Sequence, residues 1–296
     1  MKKAYVYAGL AILFWSTVAT TCKFLLGELS SLQLLWMNSL IASVFLLITN
    51  LCKGSFKKQK GYRVKDYLLM AAVGTPGTFF YYLFYYAGTD LMPASQAFII
   101  NYLWPIMSVL FACIILKERL TVKKVIAILI SFAGVIVVIG GALKAFDQKT
   151  LLGALFCIAG AVSYGIFTAL SSKVQYDKTM TMMVSYFVTF FATTIINLCS
   201  GALFVPHLNQ MAGFLWNGIF TVAIANVVWV MALEKGSTAK ISNLAYITPF
   251  LSSVWTWIFL DDPLTKASFI GLMIIMLGIL IQLLDKKKPE TVARNI

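Results

Sequence analysis

The residues of this 296-residue chain whose types and spacing suit chemistry are few and mostly uncharged. Asn101, Asn226 and Asn243 each offer a donor and an acceptor from one side chain. Tyr102 and Tyr246 join an apolar ring to a hydroxyl, which suits a ligand having both characters. Trp229 lies one helical turn after Asn226 and shares its face, while Trp15 and Ser16 in the first half loosely correspond to Tyr164 in the second. Such a set holds a small molecule; it does not cleave one. For any single aromatic, core packing or a lipid-facing position is the plain alternative, so the set carries the reading rather than its members.

Bond-breaking chemistry needs a nucleophile with its base, paired carboxylates or a metal cluster. The single histidine, His207, stands in a polar connection with no other ligand nearby in sequence. All eleven Asp and Glu fall at the ends of apolar stretches, in connections or in the tail. The five cysteines form no CxxC pair and sit where small apolar residues pack. No enzyme, metal or cofactor is expected, and without a mid-membrane carboxylate, downhill movement of a substrate is favoured over proton coupling through a buried acid.

Two features stay open at this level. Lys23 lies inside an apolar stretch away from its basic end, so its ammonium either meets a substrate carboxylate or snorkels to the interface on its four methylenes. The run Phe79-Phe80-Tyr81-Tyr82-Leu83-Phe84-Tyr85-Tyr86 puts Phe79, Tyr82 and Tyr86 on one face, suited to a vestibule. Its place near the end of a stretch equally suits an interfacial belt, which accounts for Tyr85 and Tyr86.

The elements that must position these residues are apolar stretches of about twenty residues. A helix rising ~1.5 Å per residue crosses the ~30 Å hydrocarbon core in about that length. Ten are expected, at 4–26, 33–51, 67–90, 94–116, 122–141, 151–173, 181–204, 213–233, 240–260 and 267–285. With 60% hydrophobic and 12% charged residues, no water-soluble core hides them all. The fold class is therefore all-α integral membrane, with the first stretch retained rather than cleaved as a signal. Pro105 and Pro249 fall near the middle of their stretches and free the carbonyls of Asn101 and Ala245; Pro76 interrupts the third at Gly74-Thr75-Pro76-Gly77. Backbone broken at membrane depth is tolerated beside protein or a water-filled cavity, so these breaks mark a central cavity.

The net charge of +13 is a matter of placement. If the chain starts inside and alternates, 20 of the 24 Lys and Arg lie on the cytoplasmic side, and only Lys23, Lys144, Lys149 and Lys266 fall elsewhere. This is the positive-inside pattern, with both termini cytoplasmic in the cell (inner) membrane, and it excludes nucleic-acid binding.

The halves repeat at an offset of 144: Tyr102-x-x-Pro105 meets Tyr246-x-x-Pro249, Leu120-Thr121 meets Leu264-Thr265, and Gly134 meets Gly278. Five spans per half turn the second half upside down. Lys117-Glu118-Arg119-Leu120-Thr121 accordingly becomes Asp261-Asp262-Pro263-Leu264-Thr265, with the basic character reduced on the other side. The expected architecture is two inverted five-helix repeats, 1–145 and 146–288, with a short tail at 289–296. Inverted repeats are a plan of secondary transporters, with the substrate near midplane. Glu118 with Arg119 is expected as an inner-gate or helix-end ion pair.

The pattern Met92-Pro93-Ala94-Ser95 … Asn101-Tyr102-Leu103-Trp104-Pro105 … Leu116-Lys117-Glu118-Arg119-Leu120-Thr121 … Gly134 resembles the EamA family of the drug/metabolite transporter superfamily, over essentially the whole chain. Leu13-Phe14-Trp15-Ser16-Thr17 with Lys23 is similar to the aromatic amino acid exporter branch. That resemblance implies export of amino acids through a ten-helix basket. The partners expected are a small-molecule substrate, an amino acid or similar metabolite, and the lipid bilayer; monomer and homodimer are equally compatible with the sequence. Export of another metabolite or drug, or a channel, are the competing functions.

Overall fold

The computed structural model describes residues 2–58, 61–142, 148–235 and 244–283, and among them there is no strand. Fifteen α-helices follow one another. α1 (Lys2–Ser16) and α2 (Val18–Leu26) meet end to end at Thr17, and α3 runs Ser31–Lys53. A short α4 (Ser55–Lys58) precedes α5 (Val64–Thr75), which passes through a π-helical turn, Pro76–Phe80, into α6 (Tyr81–Leu91). α7 (Ala94–Asn101) and α8 (Trp104–Ile115) are separated by Tyr102 and Leu103; α9 covers Val122–Ala142.

The second half carries α10 (Gln148–Lys173), α11 (Lys178–Cys199) and α12 (Leu208–Leu215). A second π-helical segment, Trp216–Ile224, leads into α13 (Ala225–Lys235). A 3₁₀ turn at Ala245–Ile247 opens onto α14 (Thr248–Leu260), and α15 spans Lys266–Leu283.

Among the described residues, seven helical stretches are long and apolar enough to cross a membrane: Lys3–Leu26, Ser31–Lys53, Val64–Leu91, Ala94–Ile115, Val122–Gly140, Gln148–Lys173 and Lys178–Cys199. Ala245–Leu260 and Lys266–Gln282 are apolar but shorter. The stretch expected at 213–233 lies across α12, the second π segment and α13. Expected spans reaching into 240–243 or 284–285 lie partly outside the described residues.

Polarity is distributed as a bilayer demands. Ile136, Leu129, Ile195, Phe191 and Trp257 project outward, while Asn38, Ser39, Ser185, Thr189, Asn197 and Asn217 are buried. Where lipid removes the hydrophobic drive, helices are joined by hydrogen bonds and close contact between small residues. Ser185 Oγ donates to the Met70 carbonyl at 3.2 Å, and Thr189 Oγ1 donates to Thr78 Oγ1 at 3.0 Å, fastening α11 to the α5–α6 stretch.

α9 and α15 cross at glycines. A Cβ on Gly134 would stand 2.7 Å from the Gly271 carbonyl, and one on Gly278 would stand 2.7 Å from the Ala127 carbonyl. The two contacts run in opposite chain directions, 134 against 271 and 127 against 278, so the helices are antiparallel. Each contact also maps onto the other at the offset of 144, the signature of a local two-fold relationship.

Helix ends at the membrane boundary are capped locally. The Ser30 hydroxyl accepts from the Gln33 amide at 3.2 Å while Gln33 Oε1 accepts from the Ser30 amide, and Gly54 ends α3 at φ +63°.

Candidate functional site

A cavity of about 160 Å³ lies between the two halves, lined from α1 and α2 (Trp15, Val18), α6, α7 and its end, α10 and α13. Seven of the residues singled out from the sequence line it: Trp15, Tyr82, Asn101, Tyr102, Tyr164, Asn226 and Trp229. Among the described residues, no acidic or basic side chain lines it. An apolar cavity of about 150 Å³ holds benzene, so this one accommodates a group of single-ring size in the conformation seen.

The broken helices build the cavity. Pro105 stands in the first turn of α8 and Pro249 in the first turn of α14, where a missing N–H costs nothing. In front of Pro105, α7 stops at Asn101 and exposes Tyr102; in front of Pro249, the backbone tightens into the 3₁₀ turn. The Ala245 carbonyl freed by Pro249 accepts a hydrogen bond from Tyr102 Oη at 2.5 Å. The prolines therefore shape the cavity without lining it.

Aromatic rings form most of the wall. Trp15 and Trp229 face each other at 5.2 Å between centroids, and Tyr164 contacts Tyr81 at 4.7 Å and Trp104 at 5.1 Å. The polar groups are partly committed. Asn101 Nδ2 donates to Tyr81 Oη at 3.0 Å, and Asn226 Nδ2 donates to the Val222 carbonyl at 2.5 Å. One buried atom of the lining, Asn101 Oδ1, makes no hydrogen bond. Unpartnered polar atoms are costly when buried, and at a cavity wall they are what a polar ligand satisfies.

Other predicted residues lie elsewhere. Ser16 is buried behind Trp15, donating to the Leu13 carbonyl at 2.8 Å and accepting from Trp255 Nε1 at 2.9 Å. Pro76 starts the first π turn, and Tyr246 is partly buried against the core beside the 3₁₀ turn. Asn243 lies outside the described residues.

The Lys23 ammonium is committed to main chain. It donates to the carbonyls of Thr89, Asp90 and Met92 at 2.6, 3.0 and 3.1 Å, capping the C-terminal end of α6. Those carbonyls have no partner within the helix, and a cation there also meets the negative end of the helix dipole. Asp262 Oδ2 accepts from the Ser95 amide at 2.9 Å at the start of α7, so the α6–α7 turn is held from both halves.

Glu118 pairs with Lys124 at 3.0 Å, and the same ammonium donates to the Arg119 carbonyl at 3.2 Å. This ion pair joins Glu118 at the helix end to α9.

Tyr85 and Tyr86 are each 1% exposed, which removes them from any interfacial belt. Tyr85 lines the cavity, and Tyr86 Oη accepts from Asn38 Nδ2 at 3.0 Å. α10 and α3 pack over this part of α6 and cover both rings, whatever their depth along the stretch. Tyr81, Phe98, Trp104, Thr221 and Thr248 complete the lining. Their signals were the aromatic run, the breaks before the prolines and the Thr221 position within the second π segment.

Comparison with known proteins agrees with this architecture. The sequence model of the EamA-like transporter family matches twice, at residues 2–140 and 151–284. An uncharacterized transporter of Clostridium kluyveri is 25% identical over 306 residues, covering 98% of this chain and 96% of its own. The aromatic amino acid exporter YddG of Ancylobacter novellus is 28% identical over 187 residues, covering 61% of this chain and 64% of its own. A solved crystal structure shares the fold at a TM-score of 0.67 and 23% identity, over 97% of this chain and 99% of that one. Matched over nearly its whole length, the chain belongs to the EamA-like transporter family.

Proposed function

We propose that this protein exports amino acids, aromatic or otherwise neutral and zwitterionic, by alternating access around the central cavity. The observation that carries the reading is the cavity lining: aromatic rings, two amides and hydroxyls, with an unpartnered amide oxygen and no charged side chain among the described residues. Such a wall accepts a small ligand with an apolar body and a polar end, and it lacks the carboxylate that a cationic drug or a coupling proton commonly needs. The similarity to an aromatic amino acid exporter points the same way.

On this reading the chain is two inverted five-helix repeats, 1–145 and 146–288, ahead of a tail at 289–296. Support comes from the doubled family match, from the antiparallel glycine crossing of α9 with α15, and from the two π segments. Pro76–Phe80 displaced by the offset of 144 falls inside Trp216–Ile224. Both termini lie on the cytoplasmic side of the inner membrane and the end bearing Lys23 and Asp262 faces outward, a reading supported by the positive-inside charge distribution. Movement is facilitated diffusion, with the halves rocking about the site.

The test is counterflow in proteoliposomes with a panel of radiolabelled amino acids and no imposed ion gradient. Accumulation of labelled phenylalanine, tryptophan or threonine against preloaded unlabelled compound is the expected result. Silence across the panel in vesicles with verified insertion rejects the amino acid reading and favours another metabolite or drug. Conductance without saturation rejects a carrier in favour of a channel.

A further inference from the structure

A groove of about 650 Å³ opens sideways between α1–α2, the α12–π segment and α14. Leu13, Phe24, Leu25, Trp255 and Phe259 make it apolar along most of its length. Both its indoles have spent their N–H groups: Trp216 Nε1 donates to Thr17 Oγ1 at 2.8 Å, and Trp255 Nε1 to Ser16 Oγ at 2.9 Å. The rings therefore offer apolar faces to the groove.

One end is different. Glu28, just beyond α2, meets Asn209 and Gln210 in the first turn of α12. Gln210 is 6% exposed, and its Nε2 donates to Glu28 Oε2 at 2.6 Å while its Oε1 accepts from the His207 amide at 3.0 Å. A buried amide thus fixes an exposed carboxylate at the mouth of an apolar slot. Deeper in the wall, Thr20 Oγ1 is buried without a partner.

The dimensions select the occupant. Leu13 to Leu26 spans ~20 Å of helix at ~1.5 Å per residue, against ~15 Å for half of a ~30 Å hydrocarbon core. A slot one leaflet deep, open to the bilayer and carrying a negative charge at its boundary end, matches a lipid chain topped by a cation. We propose that this groove is a lateral site for a phospholipid with a primary ammonium headgroup, its acyl chain along Phe24, Trp216 and Trp255 and its ammonium on Glu28. The inner wall of the groove is the joint between α1 and α2, whose other side presents Trp15 and Val18 to the central cavity. A lipid seated there presses on the back of the candidate substrate site.

The full chain in phosphatidylcholine vesicles provides the test. A minor fraction of lipid with brominated acyl chains, bearing ethanolamine, choline or glycerol headgroups, quenches tryptophans it touches. Trp216→Phe and Trp255→Phe identify the share of the signal arising in the groove. The expected result is half-quenching of that share at about two- to fivefold lower mole fraction of the ethanolamine lipid, the size of an exposed charge pair. Glu28→Gln, which keeps an oxygen for Gln210, should abolish the preference without abolishing quenching. Thr21→Phe, which fills the groove, should reduce quenching by all three lipids. Equal half-quenching by the three headgroups in the unmodified protein overturns the proposal, as does a preference that survives Glu28→Gln. Because the readout needs no transport, it is independent of which metabolite the protein carries.

Discussion

The hydroxyl of Tyr102 donates to the main-chain carbonyl of Ala245 at 2.5 Å. The two residues lie in different halves of the chain, and each sits four or fewer positions before a proline that interrupts its helix. The Ala245 carbonyl, which Pro249 deprives of its helical donor, accepts from the Thr248 amide within the 3₁₀ turn and from Tyr102, delivered to it by the break ahead of Pro105. The two interruptions are therefore mutually supporting, and the contact is a strut across the candidate site.

Removing that hydroxyl should cost stability before it costs specificity. Tyr102→Phe removes one of the two donors to the Ala245 carbonyl and leaves it the Thr248 amide, at a cost of about 0.5–1.5 kcal/mol. A lower midpoint of thermal unfolding in detergent is expected; an unchanged midpoint would show that the Thr248 amide alone satisfies the carbonyl.

Lys23→Met separates capping from substrate recognition. Three carbonyls at the end of α6 lose their donor, so thermal stability should fall while the KM of the remaining folded carrier stays within about twofold, since a group outside the site contributes no uniform binding. A large rise in KM with unchanged stability would return Lys23 to the substrate.

Asn101→Ala and Trp15→Ala act at the cavity wall itself. Asn101 holds Tyr81 and presents an unpartnered oxygen, and Trp15 packs on Trp229. Loss of about 1.4 kcal/mol of binding is a tenfold change, and a fall in counterflow of at least that order is expected with normal membrane insertion. Unchanged counterflow in both variants would place the substrate elsewhere.

Gly134→Val tests the crossing of α9 and α15. Its Cβ would meet the Gly271 carbonyl at 2.7 Å, so the helices must separate and folded protein should be largely lost. Gly140→Ala is the control, because nothing lies within 4 Å of its Cβ position, and it should accumulate normally. Equal yields of the two variants, measured by fluorescence-detected size exclusion, would remove the crossing as a determinant of the fold.

Much of this was legible in the residues because its causes are local or periodic. Apolar stretches follow from bilayer thickness, and Pro105, Pro249 and Pro76 mark breaks because proline lacks a donor whatever surrounds it. Asn226 and Trp229 reach the cavity together because one helical turn separates them. Tyr85 and Tyr86 were less legible: their burial depends on α10 and α3 packing over α6, which no local pattern records.

Sequence by itself determined the membrane class, the doubling of the chain and the short catalogue of polar groups available to a ligand, since composition and the offset of 144 carry those directly. Tertiary structure alone decided employment. Lys23 meets carbonyls 66 to 69 positions away, Tyr102 meets one 143 away, and Glu28 meets Gln210 across 182. A hydrogen bond is satisfied by whichever partner packing delivers, and no local pattern records which helix will arrive.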